Sequence, residues 1–407
     1  MDTGDFRGSA NACIPQTMTL LADNAALADF CNRQAKAEFI TVDTEFMRDT
    51  TFWPKLCVAQ VGGPDEAAAI DPLAKGIDLK PLFDLLRNRR VLKVFHSARQ
   101  DLEIFFLLMG VMPEPIFDTQ VAAMVCGFGE SVGYDTLVRK LTGEKIDKSS
   151  RFADWAHRPL KKRQLEYAIS DVVHLRPIYE KLRHRLEKTG RTAWLDEEMA
   201  VLTDPETYNL DPGLAWQRLK TRSSDRRYLA VVRALAAWRE TEAQRRDVPR
   251  NRVLRDEQLF DISAHRPSTT EDLASTRGLS RDLARGRLGQ AILDAVAEGV
   301  AVPDDQCPAP PPRAERPAGM GPIIDLLKVL LKMKCEENEV AQKLVATTAD
   351  LEQIAADDEA NVPALSGWRR EIFGRDALAL KHGRVALSVG RKAIKVVSLD
   401  GRQAKAS

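Results

Sequence analysis

Residues 39–46 read FITVDTEF, an apolar and β-branched run of the kind that forms a buried strand, yet it carries Asp43 and Glu45. Few features constrain a fold more, because an interior strand position is a costly place for a charge. Side chains alternate along a strand, so Asp43 and Glu45 share one face with Phe39 and Thr41, while Ile40, Val42 and Thr44 take the other. Two neighbouring carboxylates raise each other's pKa, and loss of water raises them further, unless a cation or several donors lie between them. A divalent metal is the simplest solution; an edge strand with two solvated acids is the plain alternative.

The surrounding chain has room for such a site. At 407 residues it allows two to four domains. With 6% aromatic and 29% charged residues it reads as soluble and helix-rich, and a net charge of +1 means that any nucleic-acid role must come from local clustering. The six cysteines form no C-x-x-C pair, which argues against a zinc module or disulfide framework and suits a reducing cytoplasm. No apolar run approaches the roughly 20 residues that span a bilayer, and the N-terminus lacks an export signal, so a cytoplasmic protein with no membrane association is expected.

Three blocks come after a polar N-terminal extension, residues 1–17. From 18 to 200, apolar runs (FITVDTEF, KLCVAQVG, AAAID, VLKVFHS) alternate with helical patterns, which predicts an α/β domain with a mixed sheet whose first three strands form an antiparallel meander. Residues 211–300 become helical, with Ser268 and Glu271 at capping-box spacing. A linker with seven prolines spans 303–322, and its composition leaves open whether it fixes or frees the last helical block. Residues 323–381 are helical again, and 382–407 form a basic tail in which RVALSVGRKAIKVVSL has the pattern of a small hairpin. The second and third blocks share an order of helix, break, helix and Gly-led helix at a distance near ninety residues, which predicts two copies of one small helical domain.

A search for further ligands finds Asp101 in VFHSARQDLEIF, just inside a helix that follows a strand. Tyr167 and Asp171 in QLEYAISDVVHL lie one helical turn apart on the same face. Asp43-x-Glu45, then Asp101, then Tyr167-x-x-x-Asp171 resemble the three motifs of the DEDD 3′–5′ exonuclease superfamily in its tyrosine branch. The text around them, including KVFHSARQDLEIF and RPLKKRQLEYAISDVVHL, resembles bacterial ribonuclease D, and the two helical blocks resemble the paired helicase-and-RNase-D C-terminal (HRDC) domains of that family. The resemblance implies a ribonuclease H-like mixed-sheet catalytic domain followed by two small all-α domains.

It also implies a 3′–5′ exoribonuclease releasing 5′-mononucleotides, with structured RNA such as tRNA precursors as partner and with the chain acting as a monomer. Phosphodiester cleavage needs an activated water and relief of charge on the phosphate and leaving oxygen, which a pair of hard divalent ions, magnesium or manganese, supplies. The resemblance makes Asp43, Glu45, Asp101 and Asp171 the metal ligands and Tyr167 the group that orients the water. His96 is a candidate substrate contact, with a capping or packing role as its alternative, and Phe52 and Trp53 are candidates to stack on a terminal base, with core packing as theirs; Asp118 has the character of a helix N-cap. Residues 214–255 hold twelve Lys or Arg against four acids and residues 139–163 nine against three, stripes suited to a phosphate backbone. DNA as substrate, or a non-catalytic nucleic-acid-binding role, are the alternatives.

Overall fold

The computed structural model describes residues 19–221, 223–309, 319–390 and 393–399. The expected N-terminal extension and residues 310–318 of the proline-rich linker lie outside the described residues. The described parts of 1–45, 58–207 and 314–407 form one compact unit, and those of 46–57 and 208–313 form another.

The first unit is built on a six-stranded sheet: β1 (Thr19–Leu21), β2 (Phe39–Met47), β3 (Lys55–Gly62), β4 (Ala67–Ile70), β5 (Leu92–Phe95) and β6 (Ile116–Asp118), in the order β1-β4-β3-β2-β5-β6. β5 lies parallel to β2 and β6, β1 parallel to β4, and β3 antiparallel to β4, so the sheet is mixed. The meander order of β2, β3 and β4 matches the sequence pattern. Three-residue β1 is too short to leave an alternation in the sequence and is specified by its pairing with β4. Helices α1 (Asn24–Gln34), α2 (Lys80–Arg87), α3 (Arg99–Met109), α4 (Thr119–Val125), α5 (Tyr134–Thr142), α6 (Lys162–Thr189) and α7 (Thr192–Thr203) accompany the sheet. Ile40, Val42, Val58, Val94 and Phe95 are wholly buried, which explains why these strands read as nearly continuous apolar runs.

Lys93 of β5 is also fully buried. Its ammonium donates to the carbonyls of Asn88, at 3.1 Å, and Glu114. Burial pushes its pKa down to about 7. The unfolded chain, with an ordinary value of about 10.4, therefore binds more protons than the folded one between those pH values, and stability rises with pH across that window. Denaturant titrations at pH 7 and pH 9 are expected to show the wild type gaining on the order of 1–2 kcal/mol relative to Lys93→Met; equal pH slopes would contradict the assignment.

The second unit contains α8 (Arg226–Arg246), α9 (Arg250–Val253), α10 (Asp256–His265), α11 (Thr270–Ala274), α12 (Arg281–Arg285) and α13 (Arg287–Ala301) around Val231, Leu235, Leu259, Ile262, Ile292 and Val296. α13 crosses α8 closely, since a Cβ on Gly299 would lie 2.6 Å from Val231 Cα. The cap of α11 is Thr269, whose hydroxyl accepts from Asp272 N, one residue beyond the Ser268 that the spacing suggested. Both positions carry a hydroxyl, and only the backbone decides which of them stands at the helix boundary.

The last block holds α14 (Gly321–Glu337), α15 (Gln342–Val345), α16 (Thr348–Ala356), α17 (Gly367–Arg369) and α18 (Arg375–Lys381). The one-turn α15 and the following α16 repeat the order of α9 and α10. This block packs within the first unit. Trp368 stacks on Trp194 of α7, with centroids 4.2 Å apart. The buried Arg369 guanidinium pairs with Glu197 at 2.7 Å and with Glu198, and donates to Leu344 O at 2.7 Å. Ala341 N donates to Met124 O at 3.0 Å. The hairpin pattern in the basic tail is formed, where described, by the antiparallel pair β7 (Val385–Val389) and β8 (Ile394–Ser398).

Candidate active site and metal centre

β2 runs through the middle of the sheet, and α6 lies against it through specific contacts. Thr41 Oγ1 donates to Val172 O at 2.7 Å, next to Asp171 in sequence. Arg176 lays its guanidinium 4.0 Å from the centre of the Phe39 ring and donates to Phe39 O and Gly62 O, each at 3.3 Å. Gly62 permits this approach: a Cβ there would lie 2.5 Å from Thr41 Oγ1 and 3.1 Å from Val172 O. Helix and strand are thereby locked in one register, with Tyr167 and Asp171 over the face that carries Asp43 and Glu45.

That register accounts for two acids in an apolar strand. Asp43, Glu45 and Asp171 each offer a carboxylate oxygen, and these oxygens all lie within 4.8 Å of one another. Asp43 and Glu45 are half-buried, and Asp43 lines a cavity of about 300 Å³ instead of being sealed in the core. Withdrawal from water pushes the Asp43 carboxyl up to about 7. The same withdrawal, with the charges of Asp43, Asp171 and Asp101 added, pushes Glu45 up to about 10. Asp171 is raised as well, first by burial and then by Asp43.

Asp101, in the first turn of α3, is buried and stands outside that three-carboxylate group. Thr44, which points to the opposite face of β2 from its two acidic neighbours, donates its hydroxyl to Asp101. Asp101 still feels the charge of Asp43, which with burial holds its pKa well above the ordinary range. The four acids thus form one electrostatic set of three close carboxylates and one adjoining.

This set fits a divalent cation. Asp171 Oδ1 is buried with no hydrogen-bond partner among the described residues, an acceptor left unsatisfied by them. Several carboxylate oxygens with no Lys or Arg at bonding distance among the described residues are the donors that hard ions prefer.

Tyr167 lies one turn before Asp171 and lines the same cavity, and each influences the other's pKa. Burial and the surrounding acids hold the phenol far above its ordinary pKa, so it keeps its proton at neutral pH. The buried Trp155 ring lies 6.1 Å from the Tyr167 ring. Tyr134, unmarked by any sequence motif, donates its hydroxyl to Asp171 O and lines the same cavity. No local pattern reveals it, because its contact spans α5 and α6. Lys148 and Arg151 also line the cavity, and the cationic run 139–163 was their only trace in the sequence.

His96 belongs to this cavity too, 5.1 Å from Tyr134 between ring centroids, with Nδ1 2.9 Å from Thr119 Oγ1. The neighbouring Ser97 has φ of 61°, a conformation uncommon for a residue with a side chain. It is held by the buried Asp118 carboxylate, which accepts from Ser97 N at 3.0 Å and Ala98 N at 2.8 Å while capping α4 through Gln120 N at 2.7 Å.

Phe52 and Trp53 lie in an apolar cluster of the second unit. Phe52 is 3% exposed and packs against Ala243 and Val253, with Arg250 over its ring at 4.6 Å and Trp53 edge-on at 4.8 Å. Both backbone N–H groups donate to Asp247 at 3.0 Å. Phe52 therefore has no free face for a base, and the half-buried Trp53 is part of the same cluster. Of the two readings that the sequence allowed, Phe52 takes core packing, because the β2–β3 connection belongs to the helical unit. Phe52→Ala is expected to lower unfolding free energy by about 3–5 kcal/mol, read by denaturant melts.

Known proteins match the chain in the same parts. A family model described as 3′-5′ exonuclease matches residues 18–187, and one for the HRDC domain matches residues 228–296. The chain is 52% identical to the ribonuclease D of Granulibacter bethesdensis over 381 residues, 93% of this chain and 96% of that protein. It is also 52% identical to the ribonuclease D of Nitrobacter hamburgensis over 375 residues, 91% and 97% of the two chains. Its fold matches the crystal structure of Escherichia coli RNase D, described as an exoribonuclease involved in structured RNA processing, with a TM-score of 0.78, 30% identity and coverage of 90% of this chain and 99% of that one. By the extent of these matches, the chain belongs to the ribonuclease D family of 3′–5′ exoribonucleases.

Proposed function

We propose that this exoribonuclease trims the 3′ ends of structured RNA, tRNA precursors among them, with two magnesium or manganese ions held by Asp43, Glu45, Asp101 and Asp171. The observation that carries this reading is the convergence of Asp43, Glu45 and Asp171 oxygens within 4.8 Å beside an unsatisfied Asp171 oxygen. Divalent ions bound there supply Lewis acidity, lowering the pKa of a bound water and offsetting charge on the phosphate and the departing 3′ oxygen.

The protein's own groups do the rest. Asp43, which belongs to the close group with Glu45 and Asp171 and whose charge also reaches Asp101, is the residue that would serve both ions. Tyr167 keeps its proton and uses its hydroxyl to orient the attacking water, because a phenol with so high a pKa is no base at neutral pH. Tyr134, by bonding Asp171 O, holds that turn of α6 in place. His96 at the cavity wall is a contact for the terminal nucleotide. No helix among the described residues is long and apolar enough to cross a membrane, and the reading is of a monomer working in the cytoplasm.

Matched single-stranded RNA and DNA oligonucleotides with free 3′ hydroxyls, followed with a 3′-extended tRNA at nucleotide resolution, test this function. The expected products are 5′-mononucleotides appearing stepwise from the RNA and from the tRNA extension. Faster release from DNA, or internal cuts, would overturn it.

A further inference from the structure

Residues 144–161, between α5 and α6, form a loop with an anchored base and a charged tip. At its base Arg158 makes a two-point ion pair with the buried Asp71, at 2.9 and 2.7 Å, and donates to Trp155 O at 2.7 Å. Trp155 itself is buried beside Tyr167. At the tip, residues 149–152 turn tightly, with Arg151 N donating to Lys148 O at 3.2 Å and Ala153 N to Ser150 O at 3.0 Å.

That tip presents Phe152 with 92% of its surface open, and Arg151 lies 5.4 Å from the ring centre. A lone exposed apolar side chain calls for no explanation. Three further observations set this one apart. Arg151 lines the cavity of Asp43, Tyr167 and Asp171, and its charge reaches Glu45 and opposes the rise of that carboxyl's pKa. The other cation there, Lys148, is engaged with Asp135 at 2.7 Å, whereas Arg151 makes no ion pair or side-chain hydrogen bond among the described residues. The loop's firm base removes much of the entropy that a floppy segment would lose on gripping a ligand. An open aromatic face next to an uncommitted guanidinium, a few residues from a cavity made for phosphodiester chemistry, has the chemistry of a single-strand grip: π-stacking for a base and a cation for the adjoining phosphate.

We propose that Phe152 stacks on a base of the single-stranded RNA 3′ end, and that Arg151 contacts the phosphate beside it, so that this loop holds the strand at the mouth of the acid cavity. The inference rests on the exoribonuclease reading and adds a binding site to it.

The test uses the full chain and oligoribonucleotides in which an abasic unit is moved through the last four positions. Phe152→Ala is expected to raise KM about tenfold, the loss of one stacked base, with kcat within about twofold of wild type. An abasic unit at one position is expected to raise KM of the wild type by a similar factor and that of Phe152→Ala by no more than about twofold further. Phe152→Trp is expected to restore affinity, and Phe152→Leu to leave it weak. Arg151→Ala is expected to reduce the slope of log affinity against log salt by about one. Phe152→Ala with unchanged KM, or additive losses at all four positions, would overturn the stacking site while wild-type release continued. Absence of nucleotide release from the wild type would instead overturn the reading on which the site rests.

Discussion

Asp43→Asn is expected to cut nucleotide release at least about 10³-fold, with RNA affinity in a metal-free filter or anisotropy assay within about threefold of wild type. The substitution keeps the size and planarity of the side chain and removes one anionic oxygen from a group whose members lie within 4.8 Å. It acts on the residue that Asp101 and Asp171 both feel most among their charged neighbours. The metal-free variant should also melt a few degrees above the metal-free wild type, because it relieves repulsion among partly desolvated carboxylates. A variant that turns over within tenfold of wild type would move the metal centre away from β2. One that loses activity together with its fold would show Asp43 to be structural, an outcome that the melting curve separates.

Metal removal has the second large consequence. Chelation is expected to bring nucleotide release to background, and magnesium or manganese to restore it. At about 100 times the dissociation constant, binding adds about 2.7 kcal/mol to the folded state. For a unit of this size that corresponds to a rise of about 5–10 °C in melting temperature. Asp43→Asn should show a third of that rise or less. Full activity after exhaustive chelation, confirmed by metal analysis, would leave the carboxylates without their assigned role. A metal-dependent rise as large in the variant as in the wild type would show that the ions bind elsewhere.

Much of the site was legible because its residues obey local periodicities. Strand alternation puts Asp43 and Glu45 on one face from spacing alone, and helical spacing puts Tyr167 a turn before Asp171. Asp118 likewise showed its capping character, since a cap is a matter of the next three residues. What escaped lies in contacts between distant segments. Phe52 has the composition of a base-stacking residue and packs instead on Ala243 and Val253, nearly two hundred residues away. Tyr134 has no motif around it and yet donates to the Asp171 backbone. The linker's composition left open whether the last helical block is fixed, and Trp368 and Arg369 seat it on α7.

The sequence by itself determined which residue types are available for the chemistry and how they are spaced within each element, because alternation along a strand and rotation along a helix follow from backbone geometry. The tertiary structure alone decided how the elements meet: Gly62 and Thr41 let α6 approach β2 so that three acids converge, while Thr44 holds Asp101 just outside them. Those distances depend on packing between segments far apart in the chain, and the energy that sets them is shared among contacts that no local pattern encodes.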